Sequence, residues 1–504
     1  MNFFLNLTAG LSVALQPLNL LYCFIGVFLG TLIGVLPGIG PAGAMSILLP
    51  LTFKMPATTA IIMLAGIYYG AMYGGSTTSI LVNIPGEAAS VVTCLDGHQM
   101  ALQGRAGPAL GIAAFGSFIA GTLGIVGLQV LSPPLVSIAL RFGPPEYFSL
   151  MVLGLVILTF LAQKSMIKAL LLAGFGILLG IVGLDTITGK PRFTLGIPKF
   201  MDGIGLIPLI MGLLGISEVF LNVEKTFHRQ VVNTPISHLL PSLQDWVQSK
   251  WAIVRGSLIG FFLGILPGGG AILASFVSYA LEKRFSKTPE RFGRGAIEGV
   301  AAPESANNSA ASGAFIPLLT LGIPSNVLMA ILIGALMIHG ISPGPMLLKE
   351  HPDLFWGVIA SMYVGNIMLL ALNLPLIGLW VQLLRIPQAI LFPLVLLFCV
   401  IGSYSENYSL VDVAMMLFFG AVGYFMRKFD YEPAPLVLAF VLGPIMETAL
   451  RQSMIISEGS VTIFLSRPIS AGCLIIAAVL FLTSFIPSLQ QKRKLVVEEG
   501  EETR

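Results

Sequence analysis

Charge is what this sequence has least of. Charged residues make up 10% of its 504 positions, whereas about a quarter of an ordinary soluble domain is charged. Hydrophobic residues make up 56%, so the chain cannot cover itself with a polar surface. A net charge of +3 is too small to indicate nucleic acid as a partner. The composition therefore excludes a soluble globular protein and a nucleic-acid-binding domain.

Cysteine and histidine are scarce as well. Cys23, Cys399 and Cys473 sit inside apolar runs, and Cys94 has no companion at metal-ligand spacing. The five histidines form neither H-E-x-x-H nor another metal-ligand spacing, and no G-x-S-x-G elbow is present. The chain is predicted not to be an enzyme, and no cofactor is expected.

Long apolar runs are what the sequence does have. Runs of about 20 residues recur from end to end, which is enough to span the hydrocarbon core of a bilayer. They predict an all-α polytopic membrane protein with about 10–13 membrane segments, including broken or re-entrant helices. The N-terminus lacks a basic region and a small-residue cleavage site, so the first helix is expected to be retained.

A polar stretch divides the chain into two halves. Residues 1–221 are predicted to form a first transmembrane repeat, and residues 222–250 a polar connector. Residues 251–488 would form a second transmembrane repeat with extra C-terminal helices, and residues 489–504 a cytoplasmic tail.

The two halves share broken segments. "IGVLPGIGPAGAMSILLPL" (residues 33–51) is echoed by "LGILPGGGAILAS" (residues 263–275) at a constant offset, and further on Ile84-Pro85 answers Ile323-Pro324 at an offset nine residues larger. Paired breaks in two halves indicate a secondary transporter built from repeats. The alternative is that glycine and proline are simply common in membrane helices. We predict two structural repeats.

Positive charge predicts the orientation of the repeats. The loop 281–295 holds five Lys or Arg, and the tail holds Lys492, Arg493 and Lys494, so both are expected in the cytoplasm. The connector is basic too, although the apolar segment 251–281 separates it from the next basic loop. That segment must then turn back within the membrane, at Pro267 to Gly270, and the repeats are expected to be inverted.

Breaks of this kind are typical of binding sites. Hydrocarbon cannot satisfy the freed N–H and C=O groups, so a break is tolerated only inside protein or beside water. Half-helix N-termini suit carboxylates, and exposed carbonyls suit cations. Gly38 to Gly43 also fits G-x-G-x-x-G, but a nucleotide site would need a preceding strand and a following acid, and both are missing.

Polar residues gather next to the breaks. Ser76, Thr77, Thr78, Ser79 and Asn83 precede the first Ile-Pro, and Glu304, Ser305, Asn307, Asn308 and Ser309 precede the second. Glu304 is the sharpest candidate, because ionisable groups in membrane segments are costly and usually functional. The alternative for Glu304 is a structural carboxylate that caps a half-helix or pairs with a loop arginine. Asp185, Asp202, Glu218, Asp412 and Glu447 lie near predicted helix ends, where capping or snorkelling is expected.

Five long motifs resemble one family. They are "GVLPGIGPAGAMSILLPLTF", "YGAMYGGSTTSILVNIPGEAASVVTCLDGHQMALQGRAGPAL", "GLDTITGKPRFTLGIPKFMDGIG", "EGVAAPESANNSAASGAFIPLLTLGIPSN" and "PLVLAFVLGPIMETALRQSM". In order, and over nearly the whole chain, they resemble the large membrane subunit of the tripartite tricarboxylate transporters, the TctA family. Only the final residues, "KRKLVVEEGEETR", fall outside the resemblance.

The resemblance implies a multi-pass secondary transporter of the bacterial inner membrane. It would take up citrate or a similar di- or tricarboxylate, driven by a Na⁺ or H⁺ gradient, by sliding one domain against a scaffold. A secreted periplasmic solute-binding protein would deliver the substrate, and a small hydrophobic membrane subunit would accompany the chain. A passive anion channel or a non-transporting membrane scaffold is the alternative function.

The candidate site combines the breaks, the polar clusters and the family motif. The expected coupling-ion residues are Glu304, Asn307 and Asn308, with Na⁺ as the one metal ion considered. The expected substrate-binding residues are Gly38, Gly40, Gly43, Ser76, Thr77, Thr78, Asn83, Pro85, Gly268, Gly269, Gly270, Asn307, Asn308, Gly322 and Pro324.

Overall fold

The computed structural model describes residues 3–36, 40–160, 165–185, 187–224, 239–268, 270–383 and 388–483. Helix dominates these residues, and their one sheet is an antiparallel pair of short strands, β1 (Gly183–Leu184) and β2 (Pro191–Arg192). In the first half the helices are α1 (Phe3–Ala14), α2 (Pro17–Val35), α3 (Gly40–Leu48), α4 (Ala57–Val82), α5 (Val91–Thr93), α6 (Gln99–Leu102), α7 (Ala106–Ala139), α8 (Pro144–Phe160), α9 (Met166–Gly180), α10 (Leu206–Ile210) and α11 (Ser217–Glu224).

The second half begins with α12 after the connector. Its helices are α12 (Leu243–Ile265), α13 (Gly270–Phe285), α14 (Glu298–Gly313), α15 (Phe315–Leu321), α16 (Val327–Ile338), α17 (Leu347–Glu350), α18 (Pro352–Asn373), α19 (Ile377–Leu383), α20 (Gln388–Asn407), α21 (Leu410–Lys428), α22 (Pro433–Ile456), α23 (Ile463–Ser466) and α24 (Pro468–Thr483). Short 3₁₀ segments lie at Leu49–Thr52, Ala88–Ser90, Pro198–Asp202 and Pro289–Arg291, and π-helical turns at Cys94–His98 and Met211–Ile216.

Seven helical stretches in the described residues are long and apolar enough to cross a membrane. They are Pro17–Val35, Ala57–Val82, Ala106–Ala139, Leu206–Glu224, Pro352–Asn373, Leu410–Lys428 and Pro433–Ile456. Shorter apolar helices, such as Pro144–Phe160 and Met166–Gly180, accompany them. The prediction of an all-α polytopic membrane protein is confirmed.

The second break is a reversal of the chain. α12 ends at Ile265 and α13 begins at Gly270. α12 runs parallel to α14, because Gly256 packs on Ala302 and Gly264 on Ala310. α13 runs the opposite way, since Ser275 bonds the carbonyl of Pro303, whereas the later Tyr279 lies against the earlier Gly299. α12 and α13 therefore form a hairpin, and the turn uses Gly268 at φ 109°, a left-handed conformation that suits glycine.

Glycines let the helices of each half touch backbone to backbone. On α2 a Cβ added at Gly26, Gly30 or Gly34 would lie 2.2–2.4 Å from a carbonyl oxygen of α4. On α12 a Cβ added at Gly256, Gly260 or Gly264 would lie 2.1–2.4 Å from a carbonyl oxygen of α14. Such spacing of small residues is a common device for close helix packing in membranes. The same glycine ridge thus holds an equivalent pair of helices in each half.

The equivalent helices α4 and α14 run antiparallel. Ser76 of α4 bonds Glu304 in the first half of α14, whereas the earlier Tyr68 contacts the later Phe315 of α15, with tilted rings whose centroids are 6.2 Å apart. Antiparallel equivalent helices are what an inverted repeat requires. The repeats and the predicted domain boundaries stay predictions. Both flanking helices extend into the predicted connector, residues 222–250: α11 ends at Glu224 and α12 begins at Leu243.

Most acids near the helix ends form ion pairs. Glu447 pairs with Arg192 at 2.5 Å, Asp412 with Lys199 at 3.2 Å, and Glu218 with Arg427. Asp185 accepts from the backbone N–H of Thr188 and pairs with Arg451, and these contacts hold the pKa of Asp185 well below its usual range. For these four acids, pairing across elements replaces the expected snorkelling, and it ties the β1–β2 loop to α22.

Candidate functional site

The breaks of the two halves open onto one cavity of about 220 Å³. Pro41 and Ala42 of α3 line it, and so do Ala271 and Ile272 of α13. These pairs keep the spacing that relates the two Leu-Pro-Gly motifs. The cavity is completed by Tyr68 and Met72 of α4, Leu158 of α8, and Ala434 and Leu438 of α22, together with Gly268 and Gly270.

A second set of paired residues lines the same cavity. Glu87, Ala88 and Ala89 come from the turn after the first Ile-Pro, and Asn326, Val327 and Leu328 from the turn after the second. Both sets begin a helix. Glu87 caps the 3₁₀ segment by accepting from the Ala89 N–H, and Asn326 caps α16 by accepting from the Met329 N–H at 3.0 Å. Glu87 and Asn326, which correspond in the two halves of the sequence, thus both act as caps.

Three helices therefore begin at the cavity, α3, α13 and α16, together with the three-residue 3₁₀ segment that Glu87 caps. A helix N-terminus carries a partial positive charge and unpaired N–H groups, so it favours an anion. Among the described residues that line the cavity there is no Lys, Arg or His. Helix ends, rather than basic side chains, supply the positive potential.

Two crossed hydrogen bonds tie the halves together beside the cavity. The amide of Asn326 donates to the Tyr68 hydroxyl at 3.2 Å, and the amide of Asn307 donates to Oε1 of Glu87 at 3.1 Å. Asn307 stands in the second half where Tyr68 stands in the first, and Asn326 where Glu87 stands. The turn residue of each half, Glu87 or Asn326, therefore bonds a helix residue of the other half, Asn307 or Tyr68.

Glu304 lies in a polar cluster next to the cavity. Its carboxylate is 1% exposed and accepts from Ser76 Oγ at 2.5 Å and from the hydroxyl of Thr93. Asn308 donates to the backbone carbonyl of Glu304 at 3.2 Å and to Ser117 Oγ at 2.7 Å. Within the described part of the chain, the side-chain contacts of Glu304 are the hydroxyl groups of Ser76 and Thr93, and no arginine is among them. The functional and structural roles of this residue both stay predictions.

Other predicted site residues lie at or near the breaks. Gly40 begins α3 with φ 66°, Gly43 is buried in α3, and Thr78 donates to the carbonyl of Val35 at 2.7 Å. Thr77 shares with Ser76 a small cavity of about 10 Å³ that also touches Asn373.

The turns that follow α4 and α15 hold the remaining predicted positions. Asn83 and Gly322 end their helices in the left-handed conformation, Pro85 is half-buried and Pro324 is buried. Of the predicted substrate residues only Gly268 and Gly270 line the larger cavity directly. Gly38 and Gly269 lie outside the described residues.

Sequence reasoning missed Glu87, Tyr68 and Asn326. Glu87 follows a Pro-Gly turn and Tyr68 lies in an apolar run, so neither stands out by polarity within a membrane segment. The available signal was the repeat itself, because Glu87 follows its Ile-Pro at the same distance as Asn326 follows the second. In the described residues no group of three or more His, Cys, Asp or Glu is arranged to hold a metal ion.

Comparison with known proteins identifies the chain. It is 50% identical over 500 residues to an uncharacterized 52.8 kDa protein in the TAR-I ttuC' 3' region of Agrobacterium vitis, covering 99% of this chain and 100% of the relative. It is 52% identical over 242 residues to an uncharacterized protein in the TAR-II ttuC' 3' region of the same organism, covering 48% of this chain and 100% of that relative. No solved structure matches the chain.

A family model gives the same assignment as the sequence motifs. The model of the tripartite tricarboxylate transporter TctA family matches residues 20–438, which include both breaks, the cavity and the Glu304 cluster. The chain belongs to the tripartite tricarboxylate transporter TctA family.

Proposed function

We propose that this chain takes up a di- or tricarboxylate across the bacterial inner membrane, driven by an ion gradient. The observation that carries the proposal is the convergence of the N-termini of α3, α13 and α16 on one cavity lined by both halves. A substrate with two or three carboxylates needs several sources of positive potential, and helix ends provide them without fixed cationic side chains. The family is one of transporters, which supports this use of the cavity.

The first turns of α3 and α13 are proposed to hold the substrate carboxylates. α3 begins at Gly40 and α13 at Gly270, so backbone N–H groups near both glycines lack partners within their own helices. Asn326, from the turn after the second Ile-Pro, also lines the cavity and offers an amide. The apolar side chains of Met72, Leu158 and Leu438 line other parts of the cavity, where they would limit access of water.

Ion coupling is proposed to use the polar cluster around Glu304. The carboxylate of Glu304 bonds Ser76 and Thr93, and the carboxylate of Glu87 bonds Asn307. No basic residue is among the contacts described above. Carboxylate, amide and hydroxyl oxygens suit Na⁺, and a buried carboxylate also suits a transferable proton. Binding of either ion would offset the buried negative charge beside the substrate cavity.

The partners are part of the proposal. The chain would work with a small hydrophobic membrane subunit and a periplasmic solute-binding protein that captures the substrate, as expected for a tripartite transporter. The described residues are mainly helices with short connections, which supports a role for a separate protein in substrate capture.

Concentrative uptake is the test. The ligand of the cognate binding protein, identified by thermal shift against a panel of di- and tricarboxylates, is radiolabelled and offered with that protein outside proteoliposomes. We expect liposomes that hold the large and small subunits to accumulate it above the outside concentration only under an imposed Na⁺ or H⁺ gradient. Downhill leakage alone would indicate an anion channel. The absence of any flux would indicate a scaffold, and a chemically altered ligand would indicate an enzyme. Each of these results contradicts the proposal.

A further inference from the structure

Glu87 gives the two halves of the chain a different charge at the cavity. Its equivalent in the second half is Asn326, and both cap the helix that begins at the cavity wall. Of these two corresponding positions, one therefore carries a carboxylate and the other a neutral amide, and both line the cavity. An anionic substrate in the cavity is repelled by Glu87 but not by Asn326.

In the part of the chain that the structure describes, no basic side chain contacts the Glu87 carboxylate. Glu87 is 6% exposed, and its contacts are the Asn307 amide, the Ala89 N–H and the neighbouring Ser90. The titratable groups that face it are Glu304 of α14, Tyr68 of α4 and Cys94 of the π-helical turn. In the described lining, α3, α13 and α16 add no charged group. A buried carboxylate without a compensating charge is costly, so it takes up a cation or a proton.

An unpartnered oxygen lies beside the carboxylate. Asn307 is 1% exposed, and its Oδ1 has no hydrogen-bond partner although its Nδ2 donates to Glu87. The hydroxyls of Ser79 and Ser90 are 3.0 Å apart, and Ser90 Oγ also accepts from the backbone N–H of Glu87 at 3.4 Å. Gly75 leaves room for both the Glu87 carboxylate and Ser90 Oγ to approach α4. Buried oxygens without partners are rare in native proteins and call for an explanation such as an ion.

We infer that Glu87, Asn307 and the Ser79–Ser90 hydroxyl pair form a site for a monovalent cation that neutralises the cavity wall before an anionic substrate binds. The inference rests on the proposed function only in taking the cavity as an anion site. Carboxylate, amide and hydroxyl oxygens are ligands for Na⁺, and the same carboxylate accepts H⁺ directly. Glu87 is the one carboxylate among the described residues that line the cavity. Neutralising it removes the repulsion of an anionic substrate, which links cation binding to substrate binding.

Carbodiimide labelling of the purified full-length chain tests the site without substrate, partner or gradient. Dicyclohexylcarbodiimide adds to a protonated carboxyl group, whose proton passes to a carbodiimide nitrogen, and the stable N-acylurea is located by peptide mass spectrometry. At fixed pH, NaCl is compared with choline chloride, and in choline chloride the pH is raised from 6 to 9. If the cation is Na⁺, NaCl lowers Glu87 labelling by at least about fivefold. If it is H⁺, labelling falls only as the pH rises.

Glu406 is the control within the same digest. This half-buried carboxyl lies on α20 near Gly205 and is not among the residues that line the cavity. Its Oε2 also has no hydrogen-bond partner, but Lys199 lies close enough to supply a compensating positive charge, so its labelling should not respond to NaCl. Asn307→Ala removes the unpartnered oxygen and should raise the half-effective NaCl concentration at least about tenfold, or shift the pH midpoint by about one unit. A Glu87 that stays unlabelled, or is labelled equally under all conditions, overturns the inference. That result leaves the uptake experiment unaffected, just as failed uptake leaves the labelling readable.

Discussion

At the scale of single residues, Glu304 is the position whose chemistry is easiest to test. Glu304→Gln keeps the size of the side chain but loses its charge, while Ser76 and Thr93 still offer hydroxyl groups. We expect gradient-driven accumulation to fall by about tenfold or more, because the proposed coupling needs a carboxylate. Radiolabelled uptake in proteoliposomes measures the change, and a monodisperse profile of the purified variant shows that it folds. An unchanged rate with unchanged ion dependence contradicts the assigned role.

The same scale shows why part of the site could be predicted and part could not. Glu304 and Asn307 stand out in the sequence because polar groups inside an apolar run need a reason. Tyr68 does not stand out, since an aromatic residue in a membrane helix is ordinary, and its role depends on where Asn326 arrives from the other half. Long-range partners of this kind are set by the packing of the halves, which local pattern does not reveal.

At the scale of elements, Asp96 joins the two halves on the side of the basic loop. It lies in the π-helical turn Cys94–His98 and is fully buried. Its Oδ1 accepts from the backbone N–H groups of Gly293, Gly295 and Ala296 at 2.8–2.9 Å, and its Oδ2 from the Tyr279 hydroxyl at 2.9 Å. One side chain of the first half thus holds the loop between α13 and α14 of the second.

Removing that side chain should free the loop. Asp96→Ala leaves three backbone N–H groups without their acceptor, at a cost of about 1–3 kcal/mol for each that stays buried. We expect faster trypsin cleavage after Lys287, Arg291 and Arg294 and a lower melting temperature in detergent. Asp353→Ala, at an exposed position in the first turn of α18, is the control and should change neither. Unaltered cleavage in Asp96→Ala would show that the loop is held by other contacts.

Element boundaries were only partly readable from the sequence. The Leu-Pro-Gly and Ile-Pro breaks predict where helices end, because proline and glycine interrupt the backbone ladder wherever they occur. The winding between Ala88 and Leu102, which passes through 3₁₀, α and π segments, was not predicted. It depends on contacts such as Asp96 with the loop of the other half, which a single segment does not contain.

At the scale of the whole molecule, the fold class followed from composition, whereas the relation of the halves needed the contacts. α7 runs parallel to α14, because Gly116 lies against Ser305 and Gly124 against Ser312. The loop 281–295, just before α14, is expected in the cytoplasm, so α7 leaves the cytoplasmic side. If α8 and α9 each cross back, the β1–β2 loop lies in the periplasm. The connector then returns to the cytoplasm, where Leu239 packs against Gly111 near the start of α7.

Cysteine accessibility tests this sidedness. Thr188→Cys and Lys287→Cys, both at exposed positions, are made in a chain whose four native cysteines are replaced by serine. In intact spheroplasts a membrane-impermeant maleimide should label Thr188→Cys strongly and Lys287→Cys only after the membrane is opened. Inside-out vesicles should reverse the pattern, which controls for local reactivity. If both cysteines react from one side, α7, α8 and α9 do not make three crossings, and the proposed sidedness of the β1–β2 loop is wrong.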